Sequence, residues 1–574
     1  MRLSSVRIIS GVSCLLFGTA AWHLGPHSVS DFTAQAQTTQ SAKPSDTSAS
    51  SPSPQLQPVS ASVPSTTKPA TTPEPQLAAP GTEIYTAKRG ESIPTVAHHY
   101  LGRTGYLTSS ELAEAIRAVN HKSETSNILK ANEQVIIPGI LAAPIVEHTI
   151  PVAKDFEVRA IYLTGVMAAS DHGIRIIKHW REVGGNSVVF DIKDSDGSVN
   201  IPFEHPLLGE HKVYIHDVPK FVHFLHQQNM HAIARIAMFR DEHLVVTHPE
   251  LAVQSRKNHT AWRENGKLVW TDPSNPKVQD YDITLAKHVA QLGVDEIQFD
   301  YVRFPAEGDQ KDAQFVFQGQ QPEVAEAVDQ HDSCGDGRPS TSSGQALVRP
   351  AKAKQGGTVP TAGAKTSSSE TKPCKAVTHG MQRSDVIAGF LKKAYAELHL
   401  TGVLLSLDVF GVMAWQRQVD LSHTGQDIVQ MAKYCDVLSP MIYPSHFFGM
   451  DGIAHPGDEP AHFIGESMDR FELITHPDGN RATGVVIRPW LQAFHWRTKT
   501  YSPEYIKIQV ETARAKGGIG FLFWNAANDY SKPYEAMPEM KAVDQKEAKD
   551  KPKYFRGDEM TATTTVQAAL TPAK

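Results

Sequence analysis

The sequence predicts an α/β fold, a (β/α)8 barrel of the TIM type over residues 155–535, with a small α+β unit before it and disordered linkers around both. The first observation is repetition. Eight short strand-patterned stretches alternate with helix-patterned stretches from Arg159 to Ala526, and such alternation builds a parallel sheet with crossover helices. The second concerns the loop after the first strand, where a doubly wound sheet would carry G-x-G-x-x-G and Thr164-Gly165-Val166-Met167 stands instead. The third is parity: polar residues keep to one alternation phase of several strands and gather toward their C-terminal ends, where a barrel places its functional rim.

At the N-terminus Arg2 and Arg7 precede an apolar run from Ile8 to Leu24, the layout of an export signal or of a signal anchor. Residues 1–36 are assigned to it, with small-residue cleavage sites at 19–21 or 34–36. Left uncleaved, the run is barely long enough to span a bilayer and would anchor the chain to the membrane. Cys14 lies inside the run rather than after it, so no lipid-modified cysteine is expected. The expected location is outside the cytoplasm, in a periplasm, a cell envelope or the medium. Residues 37–82 are dominated by Ser, Thr, Pro, Ala and Gln; they bury too little apolar surface to offset ordering entropy and read as a disordered spacer. A formal charge of -6 over 574 residues speaks against nucleic acid held on a basic surface. The 27 histidines are scattered, with no HExxH and no tight Cys/His cluster, so neither a catalytic metal nor another cofactor is expected.

Order resumes at Ile84. The segment from IYTAKRGESIPTVAHHYLG through ELAEAIRAVN to ILKANEQVIIPG reads as a strand, a helix over 93–100, a helix over 110–120 and a closing strand over 134–138. These residues resemble a LysM domain: Tyr85-Thr86, the helix start Arg89-Gly90-Glu91-Ser92-Ile93, Asn120 after the second helix, and Val135-Ile136-Ile137-Pro138. The resemblance covers residues 83–140, with a longer middle than the usual module. It implies binding of N-acetylglucosamine polymers such as peptidoglycan.

A linker over 141–155 leads to the barrel strands: RAIYLTG from Arg159, SVVFDIKD from Ser187, HAIARIAMF from His231, EIQFDYVRF from Glu296, VLLSLDVFG from Val403, DVLSPMIYP from Asp436, TGVVIRPWLQAF from Thr483 and GIGFLFWNA from Gly518. Helical patterns cover 173–183, 218–228, 277–292, 384–398, 424–432 and 503–516. On the polar parity stand Asp191 and Lys193, Gln298 and Asp300, Ser406 and Asp408, and Ser439 with Tyr443, so these are expected to face the barrel lumen. Residues 307–380 lose all periodicity and read as a disordered insert; Cys334 and Cys374 within it would close it as a disulfide in an oxidising compartment, free thiols being the alternative. Cys435 reads as a small core residue, and residues 540–574 as a charged, disordered tail.

The chemistry is expected at the end of DEIQFDYVRFP, over 295–305, where Asp300 stands beside Tyr301 and Arg303. A carboxylate there suits a polar, uncharged substrate such as a sugar, whereas Asp295 and Glu296 at the strand's start read as structural. The strings FDIKD, DEIQFDYVRFP, SLDVFG, LSPMIYPSHF, RPWLQAF and FWNA together resemble a family of bacterial envelope proteins described as a glycosyl hydrolase domain, distantly related to the α-amylase-like barrels. Glycoside hydrolysis needs two carboxyl groups across the scissile bond. By that resemblance Asp300 on the fourth strand is the nucleophile or base and Asp408 on the fifth the acid. The chain departs from the amylase pattern in having Asp rather than Glu on the fifth strand, and Gln298 where an Arg would precede the nucleophile. Expected substrate contacts are Asp191, Lys193 and Asp194 to hydroxyls, the rings of Trp415, Trp490 and Trp524, and hydrogen bonds from Tyr301, Arg303, Tyr443, Arg488, Gln492 and Asn525. The expected partner is a polysaccharide of the envelope or medium. A non-catalytic glycan binder and a metal-dependent deacetylase are the alternatives, the latter lacking paired metal-binding histidines.

Overall fold

The computed structural model of the chain describes residues 79–319, 380–480 and 484–550. The export segment, nearly all of the spacer, Cys14, Cys334, Cys374 and most of the insert lie outside the described residues. The chain divides into two units, Met1–Val316 with Gln382–Lys574, and Phe317–Met381; the first holds both the small α+β part and the barrel.

Strands β1 (Thr82–Thr86) and β2 (Gln134–Pro138) pair antiparallel around helices α1 (Ile93–Tyr100) and α2 (Ser109–Val119). Local signals explain the helix starts: Ser92 and Thr108 cap α1 and α2 by accepting the Thr95 and Glu111 amides. Ile93, Val96, Ala97, Leu112, Ile116, Val135 and Ile137 form a separate small core. Asn120 closes this part by bonding both the amide and the carbonyl of Ile136 at 2.8 Å. The Lys220 ammonium reaches from the barrel to the carbonyls of Leu101 at 2.9 Å and Tyr106 at 3.4 Å.

The larger part is a closed parallel barrel. Its staves are β3 (Arg159–Leu163), β4 (Ser187–Lys193), β5 (His231–Ala237), β6 (Glu296–Asp300), β7 (Leu404–Phe410), β8 (Val437–Ile442), the pair β9 (Val486–Ile487) and β10 (Trp490–Gln492), and β11 (Phe521–Trp524). Each pairs in parallel with its neighbour, and β11 returns to β3 to close the ring. Around it pack α3 (Asp171–Glu182), α4 (Val218–Gln227), α5 (Pro276–Ala290), α6 (Arg383–Leu398), α7 (Pro460–Thr475) and α8 (Pro503–Ala515). In α3 the buried Ile174, Ile177 and Trp180 recur at three-residue spacing and give the helix one core-facing stripe.

Four boundaries differ from expectation. The seventh stave is interrupted at Arg488-Pro489, because proline has no N–H for the ladder. The stretch expected to be one helix over 424–432 is broken: a helix over Gln418–Thr424 ends where the stretch begins, and a single α turn, Ile428–Met431, is followed by a 3-10 turn, Ala432–Tyr434. Order continues past residue 307, since Ala313–Gln314 pairs with Gln254–Ser255 in a short antiparallel ribbon. The last helix, Ser531–Asp550, runs into the segment expected to be a tail. Cys435 is a buried free thiol, as expected of a core residue.

The N-terminal mouth of the barrel is stoppered by the linker, which is built into the fold. Ile150 N donates to Asp295 Oδ1 and Thr149 Oγ1 to the Val294 carbonyl, both at 2.8 Å, while Phe156 packs in the interior cluster with Val189 and Ile233. Burial opposes a charge on His226, but hydrogen bonds to Asp295 and Glu147 outweigh it and hold the imidazole at about 9. Just above the stopper, Arg488 Nη1 donates to both oxygens of Glu296 at 2.9 and 2.8 Å, and His231 Nε2 lies 3.1 Å from Oε2. Burial alone would raise the Glu296 carboxyl, yet Arg488 and His231 hold it at about 2. Removing one partner of such a pair strands a buried charge. Arg488→Met is expected to cost roughly 3–5 kcal/mol at neutral pH, read from urea unfolding. The Glu296 contribution is present above its ordinary value of 4.5 and is lost as pH falls through about 2, so the gap between parent and variant should narrow on acidification.

Candidate active site

The C-terminal mouth opens into a cavity of about 270 Å³, and its floor is an ionic group drawn from neighbouring staves. In the ladder, Asp191 of β4 stands opposite Arg235 of β5, and Ala237 opposite Asp300 of β6. The Arg235 guanidinium is 2 % exposed. Its Nη1 donates to Asp191 Oδ1 at 2.6 Å, and its Nη2 and Nε donate to Asp300 Oδ2 at 2.6 and 3.2 Å. The same Nε stands 4.0 Å from Asp408 Oδ2. The Tyr162 hydroxyl donates to the remaining oxygen of Asp191. Burial opposes charge on Arg235, but Asp191 and Asp300 outweigh it and keep it cationic. Asp191 is pushed up to about 7 by burial, against the pull of Arg235.

Asp408, on β7, is 1 % exposed, and Trp490 Nε1 donates to its Oδ1 at 2.7 Å. Burial first, and then the charge of Asp300, push its carboxyl well above the usual carboxylate range, with Arg235 and Trp490 acting the other way. Asp300 keeps Oδ1 for the amide of Tyr301, at 2.6 Å. That bond is possible because β6 stops at Asp300 and Tyr301 turns into the left-handed region at φ +54°, a conformation costing a non-glycine residue on the order of 1–3 kcal/mol. The turn brings Tyr301 and Arg303 to the cavity wall.

Of the twelve expected substrate contacts, Asp194, Tyr301, Arg303, Tyr443, Trp490 and Trp524 line this cavity with Asp300 and Asp408. Trp524 stacks on Tyr162 at 4.2 Å, and the Arg235 guanidinium lies 5.4 Å from its ring centre. The other six do not line it. Asp191 lies beneath Arg235. A β-bulge between Asp191 and Lys193 breaks the alternation, so Lys193 turns out of the lumen toward Asp241 and Asp282 of the helix layer, at 2.8 and 2.9 Å. Arg488 belongs to the lower ionic layer with Glu296. Gln492 accepts the Ser445 amide and donates to the Phe494 carbonyl. Asn525 donates to the carbonyls of Ala493 and Asp529. Trp415 stands behind Phe447, at 5.8 Å between ring centres.

Sequence reasoning missed Arg235 and Tyr162, together with the aromatic wall of Phe410, His446, Phe447 and Phe494. Arg235 was signalled: an arginine inside HAIARIA, a strand buried along its whole length, needs charged partners on its neighbours. Burial and the nearby Arg497 push His446 down to about 3, so it presents a neutral ring. Among the described residues no group of three or more His, Cys, Asp or Glu is placed to hold a metal. Asp300→Asn should lower the titration of Asp408, because the charge that most raises it after burial is gone; carbon-13 NMR of labelled aspartates reads this directly.

No curated protein matches the chain. Among solved structures, a hypothetical protein from Ruminiclostridium thermocellum ATCC 27405 is 28% identical, covering 43% of this chain and 97% of its own, with a TM-score of 0.30. The PgaB (BpsB) glycoside hydrolase domain from Bordetella bronchiseptica is 12% identical, covering 67% and 99%, with a TM-score of 0.40. The spore cortex-lytic enzyme SleL of Bacillus cereus is 10% identical, covering 80% and 98%, with a TM-score of 0.36. Residues 160–530, more than half of the chain, match the model of the family described as "Putative glycosyl hydrolase domain", and the chain belongs to that family.

Proposed function

We propose that the chain is an exported glycoside hydrolase that cleaves a polysaccharide of the cell envelope or its surroundings, with Asp408 as general acid and Asp300 as nucleophile. The observation that carries this is the opposed setting of the two carboxyl groups. Asp300 is fixed by two donors from Arg235, whereas Asp408 is driven toward its protonated form by burial and by Asp300 itself. Such a division suits Asp408 for donating a proton and leaves Asp300 held in place for attack. Asp408 would protonate the glycosidic oxygen as Asp300 attacks the anomeric carbon. The leaving sugar departs with that proton, and Asp408 then takes a proton from the water that displaces Asp300. Both carboxyls approach one guanidinium nitrogen, which favours the close spacing of about 5 Å typical of retaining enzymes. Arg235 is a positioning residue here, supplied by the preceding stave rather than by the position of Gln298.

The cavity walls suit a pyranose, since Trp490, Trp524, Tyr443 and Phe494 line them with aromatic side chains of the kind that pack against sugar C–H surfaces. The part formed by β1, α1, α2 and β2 is proposed to act as a LysM-like module for N-acetylglucosamine polymers, on the strength of the motif residues and of Asn120 closing its two ends. The segment over 1–36 is proposed as the export signal or membrane anchor. Among the described residues no helix is long and apolar enough to cross a membrane.

Reducing-end release from a panel of polysaccharides tests the reaction. Asp300→Asn and Asp408→Asn should each lower turnover by roughly 10²–10⁴-fold, and unchanged hydrolysis in both would overturn the mechanism. Proton NMR of the first product should show the anomeric configuration of the substrate retained. The full chain should be held on insoluble peptidoglycan and released by N-acetylglucosamine oligomers, and deletion of residues 79–140 should abolish retention without altering cleavage of soluble substrate.

A further inference from the structure

One cation on the cavity wall, Arg303, has no acid at ion-pair distance among the described residues, and Glu264, Asp300 and Glu307 support its charge only from farther off. Arg303 is 7 % exposed, lines the cavity, and forms no ion pair there. The one hydrogen bond of its guanidinium runs from Nη1 to the Phe304 carbonyl at 3.1 Å, out of five N–H donors. Three rings hold it in place: its Cζ lies 4.5 Å from the ring centre of Phe410, 4.7 Å from Trp270 and 5.5 Å from Tyr301. Those rings stabilise a cation without neutralising it. The nearby acid Glu264 is otherwise engaged, accepting Trp270 Nε1 at 2.8 Å and the Glu307 amide at 3.2 Å.

The contrast with Arg488 locates the free donors. Arg488 Nε and Nη2 are sealed in the core without a partner, whereas no unbonded nitrogen of Arg303 is sealed in that way, and the cavity is a space that Arg303 lines. Burial works against the charge of Arg303, and buried charges are ordinarily paired. A guanidinium presents two parallel donors that match an oxyanion in a way a neutral hydroxyl cannot. Arg235, by comparison, is already committed to Asp191 and Asp300.

We propose that Arg303 reads an anion, and that the glycan accepted by this cavity carries an acidic group, a uronic-acid carboxylate or a sulfate ester, on the sugar bound beside Tyr301. This rests on the reading of the cavity as a glycan site, and it replaces the uncharged sugar expected from sequence.

Calorimetric titration of the full chain tests it with paired probes. One arm uses oligosaccharides of galacturonic and glucuronic acid against the same oligosaccharides after carboxyl reduction. The other uses sulfated galactan oligosaccharides against their desulfated forms. One acidic member should bind about ten-fold or more tightly than its neutral twin, and the arm in which this happens identifies the anion. Arg303→Gln should remove the difference in a variant that still melts cooperatively. If that variant does not fold, Arg303→Lys, which keeps the charge and loses the planar fork, should shrink it several-fold. The proposal is overturned if no acidic probe outbinds its neutral twin, absence of all binding included, or if the preference survives in every Arg303 variant that folds. Acid preference without any bond cleavage would sink the hydrolase reading and leave this one standing; cleavage without acid preference would do the reverse.

Discussion

Three carboxyl groups, those of Asp191, Asp300 and Asp408, converge on the buried guanidinium of Arg235. One cation inside a low-dielectric barrel cannot balance three anions, so the group is stable only if protons remain on some of the acids. Asp191 and Asp408 carry that consequence, the first pushed up to about 7 and the second well above the ordinary carboxylate range. The same deficit of positive charge that makes the floor costly makes it able to hold a proton near a substrate. Arg235 thus sets the position of one carboxyl, while burial and the charge of that carboxyl raise another against the pull of Arg235.

The barrel beneath this floor is built to bear it. Gln298 and Ser439 bond to each other across the lumen at 3.3 Å, and below them Glu296, Arg488 and His231 form a second ionic layer. The segment over 147–156 then closes the lower mouth, with hydrogen bonds to Val294 and Asp295. A buried charge stranded without its counter-ion is costly, and in the lower layer the two oxygens of Glu296 meet Arg488 Nη1 while Arg488 Nε and Nη2 stay without a partner. The aromatic residues divide the same way, Trp490 and Trp524 serving the cavity and Trp180 the outer packing, where its Nε1 donates to the Arg159 carbonyl.

The site residues legible in the sequence were those on unbroken alternation. Asp300 and Asp408 follow the period of two to the end of β6 and β7 and arrive at the cavity. Lys193 obeys the same pattern on paper, yet a bulge at Ile192 turns it outward, and a bulge adds one residue without any mark in composition. Arg488 was placed on the right stave and the wrong level, because rim and base differ only by the height at which the non-adjacent β6 supplies Glu296. Gln492 and Asn525 sit close to the cavity and spend their donors on loop carbonyls, which no local pattern records.

By itself the sequence determined the eight staves, the helices that cap themselves with Ser, Thr or Asp, and the strand ends that carry two acids, since these depend on periodicity and on backbone chemistry within a few residues. Only the tertiary structure decided that Arg235, from the preceding stave, holds Asp191 and Asp300 together, that Tyr301 turns the chain so that Arg303 reaches the cavity wall, and that Asp408 lies near enough to Asp300 to be raised by its charge. Those are matters of distance between residues far apart in the chain, and electrostatic coupling depends on separation and burial in space, which a linear pattern does not contain.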